Sequence, residues 1–427
     1  MTKRAATTNA LILRLLIFLL PTQFGYHLWT KNSYIFGIRV DYLAPAVYFT
    51  DLLVCFFILL VFLKYKKNFT GFLNNHKTLF LLTFVVAILN TMYSVDLYTT
   101  LFSWLKYLKL VFFGISIYLS KIDLQKDMLT PLTYSLLTFT GLSFLQLYGG
   151  KTIGGIFYLL GERTFSIYTP GISTINFFGN EILRGYSTFS HPNSMAGFFG
   201  LSIILLLGSR SLVQNKHKFF MAINIAGLFA TFSLWAIFIL FILLSYWYFA
   251  NNFENKKVPY LIFLVAVTGS FLLMIASRNS MVTSQLSSSL SERIELLKVS
   301  GGAVAANPLT GTGLGNFVRV LQTFKVDNNI AWRLQPVHNV FALLFSETGT
   351  VGVLLFSLLL LKILANIDIT KTQYILGIAF VLLTGVADHY WLTLQQNNLL
   401  AVLLIGLMVK KNASKISTWT ISRKHII

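Results

Sequence analysis

The sequence predicts an all-α polytopic membrane protein: a bundle of about twelve transmembrane helices with two long extracytoplasmic loops, the second partly helical. Three observations lead there. Of 427 residues, 55% are apolar and 11% are charged, against about 25% charged in an ordinary soluble domain, and the mean hydropathy is +0.69. The apolar residues gather in runs close to the length a helix needs to cross a bilayer. The net charge of +20 sits mostly in short basic clusters between those runs, which is how a multi-pass protein sets its orientation, not how a protein grips nucleic acid. A disordered chain, a disulfide scaffold and an ordinary cytosolic enzyme are excluded on the same grounds. The single cysteine, Cys55, lies inside a run, so no internal disulfide and no cysteine-based metal site is possible.

Twelve runs read as spans: 10–29, 44–63, 78–93, 100–120, 129–148, 194–209, 219–232, 234–250, 258–276, 338–362, 372–387 and 398–410. Lys3 and Arg4 precede the first, as in a secretory signal, but no small-residue cleavage site follows, so it is kept as a span. The stretch 219–250 is too long for one helix, and Phe232-Ser233 marks its turn. With the amino terminus in the cytoplasm, cytoplasmic segments hold 20 of the 34 lysines and arginines, while the short outer loops hold only Lys31 and Arg39. Both termini are then cytoplasmic. The whole chain, 1–427, reads as one integral membrane domain.

Two segments, 149–193 and 277–337, break the short-loop pattern, both on the outer side, and loops of that length in a compact domain usually carry function. They hold nine basic residues: Lys151, Arg163, Arg184, Arg278, Arg293, Lys298, Arg319, Lys325 and Arg333. In the second, Ser289-Leu290-Ser291-Glu292 matches a capping box that would start a helix. Leu290, Ile294 and Leu297 would form the apolar face of a helix lying on the membrane surface or on the bundle, with Glu292, Arg293 and Lys298 towards water.

The chain has no HExxH, no histidine pair at helical spacing, no P-loop, no G-x-S-x-G and no dinucleotide fingerprint, so no metal and no nucleotide is expected. Four features remain. Arg184 leads through Ser190-His191-Pro192-Asn193 into a span. Pro192 forces His191 to be extended and Asn193 can cap the helix. This is either a plain loop-to-helix junction or a device holding Arg184 at the membrane surface. Asn307-Pro308-Leu309-Thr310-Gly311-Thr312-Gly313-Leu314-Gly315 is either a structural turn or one whose amides face a ligand. His338-Asn339 opens an apolar helix, where the macrodipole disfavours the imidazolium and leaves a base able to accept a proton. A polar interface residue is the plainer reading. Glu347 lies further into that helix, where an acid is costly and so is paired or functional. Within other spans, Asp51, Lys106 and Lys109 suggest an interhelical ion pair or, less simply, a part in lipid-phosphate binding, and Arg14 snorkels.

These motifs, in this order and on this side of the membrane, resemble the O-antigen ligase and O-antigen polymerase (Wzy-type) family of bacterial membrane glycosyltransferases. The resemblance is strongest over residues 184–365. It rests on Arg184…His191-Pro192-Asn193, Arg293, the Asn307-Pro308-Leu309 turn, and His338-Asn339 followed by Glu347-x-Gly349-x-x-Gly352. It implies an inner-membrane enzyme that moves a glycan from an undecaprenyl-pyrophosphate donor to the hydroxyl of a glycan, lipid or protein acceptor, with inversion and without a metal or other cofactor. By position, Arg184 and Arg293 would bind the pyrophosphate and His338 would be the base, with His191, Asn193, Asn339 and Glu347 in support. Ligases of this family often carry an arginine after the serine of the mid-chain turn, where this chain has Ser233-Leu234. Arg278, Arg319 or Arg333 could supply that contact. An alternative reading is a transporter or flippase for a lipid-linked glycan, with Asp51, Lys106, Lys109 and Glu347 lining its path.

Overall fold

A computed structural model describes residues 2–177, 179–207, 215–252, 282–324, 334–368 and 371–409. The expected span 258–276 and the arginines 278 and 333 lie outside these residues. The chain is mostly helical, in helices α1 (Thr2–Leu19), α2 (Phe49–Lys64), α3 (Lys66–Asn75), α4 (Lys77–Met92), α5 (Leu97–Leu119), α6 (Thr130–Gly149), α7 (Pro192–Leu207), α8 (Asn215–Ala230), α9 (Leu234–Asn252), α10 (Val282–Ala306), α11 (Phe317–Val320), α12 (Val340–Ala365), α13 (Thr372–Gly385), α14 (Tyr390–Thr393) and α15 (Gln395–Val409). Every expected run among the described residues holds one of them. The turn between α8 and α9 falls at Phe232, in the left-handed region at φ 49°.

Three stretches, Leu97–Leu119, Leu124–Gly149 and Val340–Ala365, are long and apolar enough to cross a membrane, or four if α3 and α4, bent by 71°, form one span. The other apolar helices run 10–17 residues, so helix length alone does not establish twelve crossings.

The all-α expectation needs an amendment. Between α1 and α2, β1 (Gly25–His27) pairs with β4 (Ala46–Tyr48), and β2 (Tyr34–Ile35) with β3 (Ile38–Arg39); between α6 and α7, β5 (Thr174–Phe177) pairs with β6 (Asn180–Leu183). Strands of two to four residues are too short to show alternation in sequence. The β2–β3 turn is recognisable afterwards: Phe36 and Gly37 both have positive φ, the primed turn that suits a two-residue hairpin.

The largest apolar cluster is built from α1, α2, α5, α6, α7, α8, α9, α13 and α15, with Leu16, Phe57, Phe113, Phe139, Phe198, Phe199, Phe380 and Leu403 buried in it; a second, with Leu296, Phe317, Leu321 and Leu343, joins α10, α11 and α12. Arg14 does not snorkel freely: its Nε and Nη2 both donate to Asp127 Oδ1, at 2.9 and 2.7 Å, in the turn before α6.

α10 corrects a second expectation. It is already helical at Val282, so Ser289–Glu292 lies inside it and starts nothing. Its Leu290, Ile294 and Leu297 stripe is exposed, which rules out packing of that face on the bundle and suits the membrane-surface placement, whereas Leu296, Val299 and Ala303 are buried. Arg293 and Glu292 turn with the inner face. Glu292 accepts a hydrogen bond from Gln335, and Arg293 donates to the Ala387 carbonyl at 2.9 Å. An apolar stripe shows that a face avoids water; in a membrane protein lipid can satisfy it as well as a core.

Candidate active site

Arg184 is placed by a close backbone approach. The Gly185 amide donates to the Ala230 carbonyl at 2.8 Å, and a Cβ on Gly185 would lie 2.4 Å from Ser143 Oγ and 2.9 Å from the Ala230 oxygen. Only glycine lets this loop seat against the α8–α9 turn. Arg184 Nε then donates to the Thr231 carbonyl at 2.8 Å and Nη2 to Asn193 Oδ1 at 2.9 Å. Burial lowers its pKa to about 10, so it stays a cation at neutral pH.

The helix start at α7 differs from expectation. Pro192 occupies the first helical position, which needs no amide donor, and this moves the capping role back to His191, whose Nδ1 accepts the Asn193 amide at 3.1 Å. Asn193 is free to act as a bridge. Its Nδ2 donates to Asp388 Oδ2 at 2.9 Å while its Oδ1 accepts from Arg184. His191 Nε2 bonds Ser173 Oγ at 3.1 Å. Its imidazole, lowered by burial to about 3, is neutral.

On the opposite side, Asn339 caps α12 by accepting the Ala342 amide at 2.9 Å, and its Nδ2 donates to the Val386 carbonyl at 2.9 Å. That clamp sets the start of α12 beside the Ala387-Asp388-His389 corner. His338 Nδ1 lies 3.7 Å from Asp388 Oδ1, an electrostatic contact longer than a hydrogen bond. Asp388 Oδ1 also accepts the His389 amide at 2.8 Å. Burial alone would raise the Asp388 carboxyl. Contact with His338 and the nearby His389 and His191 outweighs it and holds the group well below the usual carboxylate range. The His389 ring lies 5.2 Å from the His338 ring, tilted by 46°, and its Nδ1 bonds Thr393 Oγ1 at 2.8 Å. Burial lowers it to about 4.

The structure therefore brings Arg184, Asn193, Asp388 and His338 into one chain of contacts, with His191 at its side and Arg293 fixed to the carbonyl next to Asp388. Glu347 stands apart as an organiser. Its Oε1 accepts the Phe317 amide at 3.1 Å, and its carbonyl takes Gly313 N–H at 2.9 Å and Asn90 Nδ2 at 2.8 Å. The amides of Gly311, Thr312, Gly313 and Leu314 all donate within the protein, so the glycine turn is structural punctuation. Arg319 is engaged with Asp96 at 3.6 Å and with the Asn32 carbonyl.

A cavity of about 720 Å³ opens beside this cluster, lined by His338, Asp388, His389, His191, Arg163 and Tyr42 among others; Arg184, Asn193 and Arg293 lie behind its lining. Asp388 and His389 belong to none of the sequence motifs above, and Arg163 entered only as one of the loop cations. Asp388 becomes central because the fold joins Asn193 to it across 195 residues, a pairing with no local signal. His338, Asp388 and His389 each offer a ligand atom within 4.8 Å of the others; these are the side chains that could hold a divalent cation.

A family model described as O-antigen ligase matches residues 219–357, about a third of the chain. No curated protein matches it. The family match supports an O-antigen ligase/polymerase family, in agreement with the order of motifs in the sequence. It spans Arg293, the glycine turn, His338 and Glu347, and leaves Arg184, Asn193 and Asp388 outside.

Proposed function

We propose that this protein, with an O-antigen ligase-type region, transfers a glycan from a polyprenyl-pyrophosphate donor to an acceptor hydroxyl, His338 acting as base and Arg184 and Arg293 binding the pyrophosphate. The observation that carries this reading is the Arg184–Asn193–Asp388–His338 chain. In the tautomer with its proton on Nδ1, towards the Asp388 carboxylate, His338 keeps a lone pair on Nε2, and no described residue bonds that atom. The acceptor hydroxyl gives its proton to Nε2 while its oxygen forms the new bond to the anomeric carbon. The bond from that carbon to the pyrophosphate oxygen breaks on the opposite face, which inverts the configuration. Asp388 stabilises the imidazolium as it forms, and guanidinium groups take the charge on the departing pyrophosphate.

Arg184 Nη1 makes no bond to a described residue, and Arg293 uses only Nη1, so each keeps donors for phosphate oxygens. Neither step calls for a nucleotide, since the donor carries its own leaving group. Transfer assays in membranes supplied with lipid-linked glycan test the reading. His338→Ala should lower transfer about a hundredfold or more with the protein still inserted and folded. Full activity in that variant removes the base, and movement of donor across proteoliposomes without covalent change would replace the transferase reading by a flippase.

A further inference from the structure

Three charged groups share another part of the same cavity. Asp51 on α2 and Lys106 and Lys109 on α5 all line it. Lys109 pairs with the Asp51 carboxylate, which also accepts from Gln395 Nε2 and, at 2.9 Å, from the Tyr48 amide. One anion is thereby matched to one cation, which is the interhelical pair the sequence suggested. Lys106 is left over. Its ammonium donates to the Thr393 carbonyl at 3.1 Å, and no carboxylate contacts it among the described residues. Of the other carboxylates lining the cavity, Glu347 is held by the Phe317 amide and Asp388 by Asn193 and the His389 amide, and Asp41 forms no ion pair with Lys106.

An ammonium has three donors, so two remain for whatever enters. A surplus charge inside an apolar bundle is costly and marks a place where a counter-charge arrives. Thr393 shows where that place is. Its carbonyl takes Lys106, its hydroxyl bonds His389, and the His389 ring lies tilted against His338. Lys106 is thus one residue removed from the imidazole pair.

We infer that Lys106 is a further phosphoryl-binding residue, a cation of the cavity itself that receives the phosphate headgroup of the donor beside His338 and His389. This rests on the proposed transferase reading and names a subsite within it. A lysine suits the position because it binds phosphate as a point charge, without the fixed fork that an arginine must align.

The test is binding of inorganic pyrophosphate and of farnesyl pyrophosphate to the full chain in nanodiscs, for wild type, Lys106→Met, Lys106→Arg and Arg293→Met. Lys106→Met should weaken both probes about tenfold or more, with Lys106→Arg keeping most of the affinity. Loss confined to the farnesyl probe also supports the subsite and identifies a lipid headgroup as its occupant. Unaltered binding in Lys106→Met, with Arg293→Met impaired, overturns the role of Lys106 and leaves the transferase reading standing. Failure of the wild type to bind either probe overturns both. Thermal melting guards against misfolding: without ligand, removing a surplus buried charge should leave Tm equal or higher, and a clear fall in Tm means the ammonium is structural and sinks the inference.

Discussion

In the proposed reading His338 is the base, and the group facing its Nδ1, at 3.7 Å, is the Asp388 carboxylate. Asp388→Asn tests the point with little change of shape. Whichever way the new amide sits, the carboxylate charge that would favour the His338 cation is lost, and an N–H2 group facing Nδ1 would favour the wrong tautomer. Transfer should fall at least about tenfold, in kcat more than in KM, measured with saturating donor. A second expectation concerns pH. Burial depresses His389 from 6.5 to about 4 and His191 to about 3, so both are neutral in the folded protein while the unfolded chain protonates them near 6.5. The unfolded state then binds more protons below that pH, so stability is full above about 6.5 and declines as the pH falls towards 4. Melting of the purified protein across that window should show the decline, and His389→Asn should flatten it. Arg184 and His338 could be singled out in the sequence because Pro192-Asn193 follows the one and the other opens an apolar helix. Asp388 could not, since nothing near it in sequence points to Asn193.

Helices were the easiest elements to read, because a run of apolar residues is local information. Orientation about the helix axis is not local, and α10 shows why. Its Leu290-Ile294-Leu297 stripe has the spacing of a buried face, but Leu296, 1% exposed, belongs to the interior while Ile294 is 53% exposed. Leu296→Ala should therefore lower stability by about 2–5 kcal/mol, with Ile294→Ala close to neutral in a detergent melt; the reverse order would put the Leu290-Ile294-Leu297 stripe against the bundle. The break in α12 is an element-level feature with a defined cause. Gly349 has φ 62°, and a Cβ there would lie 2.4 Å from the Leu309 carbonyl. The break lets the Glu347 carbonyl and carboxylate cap the glycine turn instead of continuing the helix ladder. Gly349→Ala combines left-handed strain of about 1–3 kcal/mol with that overlap, and it should yield a protein with a sharply lower Tm or none that can be purified.

For the molecule as a whole, the decisive property is which compartment the cavity faces, because a lipid-linked donor is usable only where its headgroup lies. Basic residues argue for one orientation: Lys64, Lys66, Lys67 and Lys77 crowd the α2–α3–α4 corner, which the positive-inside bias puts in the cytoplasm. The segment bearing Arg184 then falls outside. The chain offers a clean test because Cys55 is its single cysteine. In a Cys55→Ser background, a cysteine at Tyr168, 87% exposed in the loop that carries Arg184, should react with a membrane-impermeant maleimide on intact cells. A cysteine at Asn74, exposed at the end of α3, should react only after permeabilisation. Labelling in the opposite order would put His338 and the arginines in the cytoplasm, where nucleotide-activated sugars are the usual donors, and would remove the need for a pyrophosphate pocket at all. The expected order would leave the cavity facing a compartment without ATP, where the leaving group must come attached to the substrate and cations must be built into the site to receive it.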